Sequence, residues 1–325
     1  MRESLTTKCE RFIRNRDVIK ANFKWDSVYI VPVCASELTG KNIEADSERL
    51  LQCKKLVDEN TGVFSSFRGN VKLPIITKLA QDDYPAQKLE NTKKIYEILK
   101  KYFWGSQYLT LVATILADMV YVDEADRYAA RGKRIYELMK KEHPFLTSGE
   151  DGVFAVLMAF SEKEDSELIA DMEACYDILK GQFSSSNSVQ SLSHVLALSE
   201  GTPEEKCKKV FTLNQELKNA GRKYGTYYEL AVLGAVSLVS DDMKALAEDM
   251  LSVDSFLANQ KGYGFFGIDK KTRLMHAAML VAGDYSKESN TGTAAITGTL
   301  AMIAAQQAAM CAVIASSAAA SSASN

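Results

Sequence analysis

Apolar and polar residues along the chain follow two alternating patterns. In the first, apolar residues recur at three- and four-residue steps between charged ones, as at Ile95, Ile98 and Tyr102, which predicts an amphipathic helix. In the second, a shorter stretch is apolar at nearly every position, as in 109–117, which predicts a helix buried on all sides. We call the amphipathic helices B and the apolar helices A. Because no segment shows the strict alternation and tight turns that strands require, the pattern predicts an all-α fold.

The two kinds of helix are predicted to follow each other along most of the chain. The B helices are predicted at 44–58, 86–103, 124–142, 164–182, 203–219 and 242–258. The A helices are predicted at 73–80, 109–117, 153–160, 192–198, 230–239 and 274–282. A further A helix is expected near 27–37, where Pro32 should kink or shorten it. A charged helix over 5–21 comes before it.

A short phrase recurs at a fixed position near the end of three B helices. Segments 94–100 (KIYEILK), 134–140 (RIYELMK) and 174–180 (ACYDILK) are spaced 40 residues apart. A period in this range is typical of stacked helical hairpins. The sequence therefore predicts a right-handed α-solenoid, an α–α superhelix of about six to seven hairpins.

Three segments of different character are expected along the chain. Residues 1–22 would form an N-terminal capping helix, 23–284 a helical-repeat domain, and 285–325 a low-complexity tail rich in Ala and Ser. The tail would be loosely docked or partly disordered, a packing helix of small residues, or a membrane anchor over 294–315. Glutamines near its middle and the lack of flanking basic or aromatic residues argue against the anchor, so a membrane partner is not expected.

Charge and composition exclude several classes of function. The 325 residues carry a formal net charge of -3, which argues against a nucleic-acid partner. The six cysteines form no CxxC pair and the three histidines stand far apart, so neither a metal site nor a cofactor is predicted. No apolar stretch follows the charged N-terminus, so no signal peptide is indicated and a cytoplasmic location is expected.

Two loop segments resemble those of a known family. Segment 64–70 (FSSFRGN) and segment 103–109 (FWGSQYL) are similar to the pattern of a bacterial family, found mostly in Firmicutes, that is catalogued as a domain of unknown function. The resemblance extends to about residue 284. It implies a bacterial, cytoplasmic protein and brings no known activity, ligand or catalytic residue.

The loop around Arg68 is the most site-like segment of the sequence. Arg68 follows an aromatic residue and precedes Gly69 and Asn70, which tolerate positive φ. Such a loop would present a guanidinium and backbone N–H groups to a carboxylate or phosphate. In the alternative interpretation Gly69 and Asn70 make the turn, Asn70 caps the next helix, and Arg68 pairs with a neighbouring carboxylate.

Aromatic residues supply the remaining candidates for a binding site. Tyr96, Tyr136 and Tyr176 share one position of the repeated phrase and would present aromatic platforms beside acidic residues. They would alternatively fill the seams between B helices. Trp104 lies at the junction that follows the first phrase, either as a binding residue or as a packing anchor.

Lysines at the ends of B helices have two interpretations. Lys100, Lys140, Lys180 and Lys218 recur at nearly constant spacing. They would attract an acidic partner, or they would only complement the negative end of each helix dipole.

No motif of catalysis was found, so the sequence favours a binding function over an enzymatic one. The leading hypothesis is a scaffold that binds a protein or peptide through equivalent faces of its repeats. The alternative is a small-molecule-binding protein or enzyme with a pocket on the concave face near Arg68.

Overall fold

The all-α prediction is confirmed. The structure is a computed structural model that describes residues 1–227, 229–264 and 267–285. These residues contain fourteen α-helices, one short 3-10 helix at Gly69–Val71, and no β-strand. The predicted Ala-rich tail lies outside the described residues.

The odd-numbered helices correspond to the predicted B helices and the even-numbered ones to the A helices. The odd-numbered helices are α1 (Glu3–Asn22), α3 (Ser47–Asn60), α5 (Pro85–Leu99), α7 (Ala125–Glu142), α9 (Asp165–Leu179), α11 (Pro203–Asn219) and α13 (Met243–Ala258). The even-numbered helices are α2 (Ile30–Gly40), α4 (Lys72–Ala80), α6 (Gln107–Met119), α8 (Asp151–Met158), α10 (Ser186–Ala197), α12 (Glu229–Ser237) and α14 (Lys270–Tyr285). All residues of α8 are buried, whereas α7 buries only five of its eighteen, so the two hydrophobic patterns distinguished interior from surface helices.

Local chemistry sets where these helices begin. At the start of α11 the Thr202 hydroxyl accepts from the Glu205 N–H at 3.3 Å, and the Glu205 carboxylate accepts from the Thr202 N–H at 3.0 Å. Pro203 occupies the first turn, where its missing N–H has no partner to lose. Pro32 likewise lies in the first turn of its helix, because α2 begins at Ile30 rather than near residue 27.

The described residues divide into two compact units. The N-terminal unit comprises Arg14–Leu38 and Ile43–Glu162. The C-terminal unit comprises Met1–Ile13, Thr39–Asn42 and the described residues from Lys163 onward. Helix α1 therefore contributes to both units.

In the N-terminal unit, α4, α6 and α8 each pack on the B helix that comes before them in the chain. Helix α4 contacts α3 and α5, α6 contacts α5 and α8, and α7 packs on both α5 and α8. The interior is aliphatic, and Leu111, Ile115 and Leu116 of α6 are each at most 4% exposed. Burying each such side chain contributes about 1.5–3 kcal/mol to the free energy of folding. The aliphatic contacts of the interior therefore stabilise the unit.

In the C-terminal unit, α9, α11 and α13 pack side by side, and α10, α12 and α14 do likewise. The first turns of α1 join this unit through ion pairs. Lys8 Nζ lies 3.4 Å from Asp284 of α14, and Arg2 Nε lies 3.0 Å from Asp249 of α13. Because Lys8 and Asp284 are both buried, their pairing offsets the desolvation of two charges and fixes the start of α1.

Candidate functional site

Four loops of the N-terminal unit lead from an odd-numbered helix to the next even-numbered one. We call them the BA loops and number them in chain order: loop 1 is 23–29, loop 2 is 61–68, loop 3 is 100–106 and loop 4 is 143–150. The contacts between them define the candidate site.

Ser66 of loop 2 is bonded to the two helices that flank loop 3, α5 and α6. The Tyr96 hydroxyl donates to Ser66 Oγ at 2.9 Å, and the Thr110 hydroxyl donates to the Ser66 carbonyl at 3.1 Å. Loop 3 approaches the same tyrosine so closely that a Cβ at Gly105 would lie 2.9 Å from Tyr96 Oη. A larger residue at Gly105 would therefore separate the two loops.

The two segments that carry the family resemblance also meet at this place. Gly69 has φ 66°, in the left-handed region that favours glycine. A Cβ there would lie 3.1 Å from Nε2 of Gln107, at the start of α6. Segments 64–70 and 103–109 thus form one packed contact although they are distant in the chain.

Loops 3 and 4 meet through aromatic rings. A Cβ at Gly152 would lie 3.6 Å from the Phe103 ring, and one at Gly149 would lie 3.6 Å from the Tyr108 ring. Phe103 also meets Tyr136 of α7 edge to face, with centroids 5.8 Å apart. These contacts hold the base of both loops against α6 and α7.

Loop 1 lies beside the middle of α3 and the start of α4. Lys54 Nζ is 5.7 Å from the Phe23 ring centroid. Burial raises the pKa of Asp26, while the charges of Lys72 and Lys54 oppose that rise. Lys72 also pairs with Asp58 at the end of α3, so loop 1 adjoins the elements that support loop 2.

Each BA loop carries one large aromatic side chain that is almost completely exposed. These side chains are Trp25 at 100%, Phe64 at 103%, Trp104 at 95% and Phe145 at 99% exposure. Exposed apolar side chains that form a contiguous patch mark an interaction surface, and these four side chains are the candidates for one in this unit. We call these four residues the aromatic tips.

Positive charge accompanies the tips. Lys24 precedes Trp25, Lys101 precedes Trp104, and Lys140 with Lys141 precedes Phe145, all four with exposed side chains. Lys101 Nζ lies 3.4 Å from Asp126, an exposed pair that contributes little and leaves the ammonium accessible.

Burial changes the acidity of two carboxyl groups at the end of loop 4 and the start of α8. Asp151 of α8 is 2% exposed, and burial, with a smaller contribution from neighbouring Glu150, raises its pKa to about 7. Its carboxylate still accepts from the Ser148 N–H at 2.7 Å. Burial likewise raises the pKa of Glu150.

Comparison with known proteins places the chain in a family. The family model described as "Protein of unknown function (DUF4003)" matches residues 15–308. The chain belongs to the DUF4003 family. It is similar to "Uncharacterized protein YeaA" of Bacillus subtilis (strain 168), with 25% identity over 333 residues, covering 98% of this chain and 97% of that protein. No solved structure matches. The predicted resemblance to a bacterial family of unknown function is confirmed.

Arg68 of this DUF4003 protein is engaged with its own loop. Its guanidinium pairs with the Asp58 carboxylate, and Nη2 donates to the carbonyls of Asp58 at 2.9 Å and Thr61 at 2.8 Å. Burial tends to raise the pKa of Asp58, but Lys72 and Arg68 outweigh burial and hold it below the ordinary value. Arg68 thus closes the last turn of α3, where carbonyls lack helical partners.

The other predicted site residues of the DUF4003 chain lie in different surroundings. Asn70 is half-buried in the 3-10 helix and does not cap α4, whose N-cap is Val71 without a side-chain bond. Tyr96 is buried against Phe67, with ring centroids 5.2 Å apart. Tyr136 is half-buried against Phe103 in the N-terminal unit, and Tyr176 is half-buried in the C-terminal unit.

Trp104 is the one aromatic tip that sequence reasoning singled out. Its alternative interpretation as a packing anchor is wrong, because the ring is almost fully exposed. Trp25, Phe64 and Phe145 were missed. The available signal was positional, since each stands between the end of an amphipathic helix and the start of an apolar one.

Two further classes of site find no support within the described residues of the DUF4003 protein. Their His, Cys, Asp and Glu side chains form no group of three or more that would hold a metal ion. Among the described helices, none is both long and apolar enough to cross a bilayer.

Proposed function

We propose that this DUF4003 protein is a helical-repeat scaffold that binds a protein or peptide through the BA loops of its N-terminal unit. The observation that carries the proposal is the set of four aromatic tips on loops that contact one another or share supporting elements. The partner would cover Trp25, Phe64, Trp104 and Phe145.

The chemistry of the tips suits a protein surface. Trp, Tyr and Phe are enriched at protein interfaces, and a few such residues supply most of the binding free energy. Burying one of these side chains contributes about 1.5–3 kcal/mol. Several tips together would therefore support specific binding after the entropic cost of association.

The bases of the loops are already ordered, which lowers the cost of binding. Phe67 of loop 2 and Phe103 of loop 3 pack edge to face on Tyr96 and Tyr136. Within each of these two loops, one aromatic residue anchors the backbone and a second one, Phe64 or Trp104, projects from it. A partner would thus meet a preformed surface.

The charges beside the tips favour an acidic partner. Lys24, Lys101, Lys140 and Lys141 are exposed around loops 1, 3 and 4. Exposed lysines accelerate encounter with an acidic surface, and this contribution weakens as salt rises. We accordingly expect binding that tightens at low ionic strength.

The proposal includes the predicted architecture, a right-handed α-solenoid with a period near 40 residues, and a cytoplasmic location. In its support, Tyr96 and Tyr136 occupy equivalent places on α5 and α7, and each meets the aromatic base of the preceding BA loop. Successive odd-numbered helices within a unit also pack on one another. This is the neighbour-to-neighbour contact that helical repeats require.

The alternative of a small-molecule or catalytic pocket near Arg68 has less support. The donors of Arg68 are directed to Asp58 and Thr61 of its own loop and helix end. A ligand would have to displace these bonds and leave carbonyls unpaired.

Site-specific photo-crosslinking in living bacteria tests the proposal. A benzophenone amino acid replaces Phe64 in one variant and Tyr84 in the control, since Tyr84 is also exposed but lies between α4 and α5. We expect one discrete crosslinked protein from position 64 that position 84 does not give. Loss of this product when Trp25, Trp104 and Phe145 are changed to Ser would assign it to the tips.

Two results would contradict the proposal. Equal crosslinking from both positions, or none from either, would mean that the tips are not a specific protein surface. Sedimentation with vesicles of anionic phospholipid, lost on the same substitutions, would assign the tips to a lipid surface instead.

A further inference from the structure

The hydroxyl group of Tyr96 lies between loop 2 and loop 3. It donates to Ser66 Oγ of loop 2 at 2.9 Å. On the side of loop 3, a Cβ at Gly105 would lie 2.9 Å from the same oxygen, so the loop backbone packs directly on the hydroxyl. Tyr96 is 8% exposed and its ring packs on Phe67, which keeps the hydroxyl in this position. One buried group of α5 thus contacts both loops.

Each of these two contacts is next to an aromatic tip. Ser66 is two positions after Phe64, and Gly105 directly follows Trp104. The side chains of the two tips are almost fully exposed, so they pack on little that would hold them in place. The position of one ring relative to the other therefore depends on the backbone that the Tyr96 hydroxyl contacts.

Helix α6 fixes the backbone on both sides of this hydroxyl. The Thr110 hydroxyl donates to the Ser66 carbonyl at 3.1 Å, so Ser66 is bonded through its side chain and through its main chain. The Ser106 hydroxyl accepts from the Leu109 N–H at 3.1 Å and ends loop 3 at the start of α6. Both loops are consequently held by the same two helices, α5 and α6, and lose little conformational freedom when a partner binds.

The chemistry around the two tips favours an apolar occupant. Val63 is 79% exposed beside Phe64. Within segments 62–69 and 102–106 only Arg68 carries a charge, and its guanidinium is already bonded to Asp58 and Thr61. A charged group of a partner would lose its water there without gaining an opposite charge, whereas an apolar group gains free energy from burial.

We propose that Phe64 and Trp104 form one two-part binding subsite, and that Tyr96 is the residue that positions its two parts. The occupant is a continuous apolar surface of the protein partner, which covers both rings at once. This inference rests on the proposed function, and it names the chemistry that the partner presents to loops 2 and 3. Because the spacing of the two rings is fixed, the second ring is buried at little further entropic cost once the first has bound.

Electron spin resonance measures the distance between the two tips without any partner. Spin labels are attached at Phe64→Cys and Trp104→Cys in a full chain that also carries Cys311→Ser. The native cysteines of the described residues are buried and stay unlabelled. We expect one narrow distribution of distances. Gly105→Ala should displace or broaden it, because the added methyl group would meet the Tyr96 hydroxyl at 2.9 Å.

A cycle of variants tests whether the hydroxyl is the cause. Tyr96→Phe removes the bond to Ser66 and should broaden the distribution, as Ser66→Ala should from the other side of the same bond. Without the hydroxyl, the nearest atom to a Cβ at Gly105 is Cζ of residue 96 at 4.0 Å, an ordinary contact. Gly105→Ala should therefore add nothing in the Tyr96→Phe protein. Labels at the exposed positions Tyr84→Cys and Tyr121→Cys give a control distance that none of these substitutions should change.

The product crosslinked from position 64 measures whether the two tips act together on the partner. Trp104→Ser and Gly105→Ala should each lower the yield of this product by about tenfold, the effect of losing one well-buried contact. In the Tyr96→Phe protein, Gly105→Ala should again have no further effect on the yield. Melting curves establish that each variant remains folded.

The possible results separate this inference from the proposed function. Unchanged distances in folded Gly105→Ala and Tyr96→Phe proteins would overturn the positioning role of Tyr96. A product from position 64 whose yield Trp104→Ser leaves unchanged would overturn the shared subsite, while a protein surface at the tips would stand. Absence of any discrete product would contradict the proposed function and the subsite together, whereas the measured distances would still decide the role of Tyr96.

Discussion

Gly132 of α7 packs directly on Val156 of α8. A Cβ at Gly132 would lie 2.7 Å from Val156 Cγ2 and 3.0 Å from Val156 Cα, so the two helix backbones approach as closely as glycine allows. Alanine improves intrinsic helix propensity by about 1 kcal/mol, but overpacking against backbone costs about 1–3 kcal/mol. We expect Gly132→Ala to lower the free energy of unfolding by about 1 kcal/mol, measured by urea denaturation. Gly40→Ala in α2, which has open space around it, should be neutral or stabilising.

Asp151 should make stability depend on pH in the range where its ionisation differs between folded and unfolded chains. Its pKa is raised to about 7 by burial, so the folded state holds the proton more tightly than the unfolded state does. Stability should therefore fall as pH rises from about 4 to about 7 and stay low above that range, by on the order of 2–4 kcal/mol.

Asp151→Asn should remove this fall, because the amide keeps an oxygen for the Ser148 N–H and never ionises. Urea denaturation at pH 5 and pH 8 measures the effect, with Asp123→Asn as the control for a surface carboxyl. An unchanged pH dependence in Asp151→Asn would show that another group is responsible.

Arg68 should matter for stability and leave partner binding intact. Arg68→Ala would deprive the carbonyls of Asp58 and Thr61 of their donors, at a cost of about 1–2 kcal/mol in the free energy of unfolding. Arg14→Ala, which breaks an exposed pair with Glu44, should cost less than about 1 kcal/mol. If a folded Arg68→Ala protein lost the product crosslinked from position 64, the alternative of a site at Arg68 would regain support.

The hydroxyl contact between Tyr96 and Ser66 should show energetic coupling. Tyr96→Phe and Ser66→Ala each remove one partner of a 2.9 Å hydrogen bond between α5 and loop 2. A double-mutant cycle by chemical denaturation should give a coupling of about 0.5–1.5 kcal/mol. Strictly additive losses would mean that the bond is broken in solution.

Helix positions were predictable because local chemistry and hydrophobic period agreed. The prediction for 203–219 coincides with α11, where Thr202, Pro203 and Glu205 mark the start. The end of α5 was less accurate, at Leu99 rather than residue 103. Residues after Leu99 continue in tight turns, in which the N–H groups of Lys101 and Tyr102 donate three residues back, and such turns preserve the helical pattern of apolar residues.

The candidate site was far less predictable, because exposure depends on tertiary neighbours. Phe64 and Phe67 belong to the same loop and are the same residue type, yet one is fully exposed and the other is 4% exposed. The difference is due to Tyr96, which lies 29 positions after Phe67 in the sequence and packs on its ring. Similarly, nothing local to Arg68 reveals that the end of α3 lies within reach of its guanidinium.

The ion pair of Lys8 with Asp284 has a consequence for the order in which the two units fold during synthesis. It places residues from the first helix and from α14 in the same compact unit, whereas the N-terminal unit is nearly continuous in sequence. On the ribosome, the described residues of the N-terminal unit have all emerged shortly after α8. The C-terminal unit must wait for α14, and until then Lys8 lacks the carboxylate that balances it. Vectorial synthesis thus gives the two units an order of folding that refolding from denaturant does not impose.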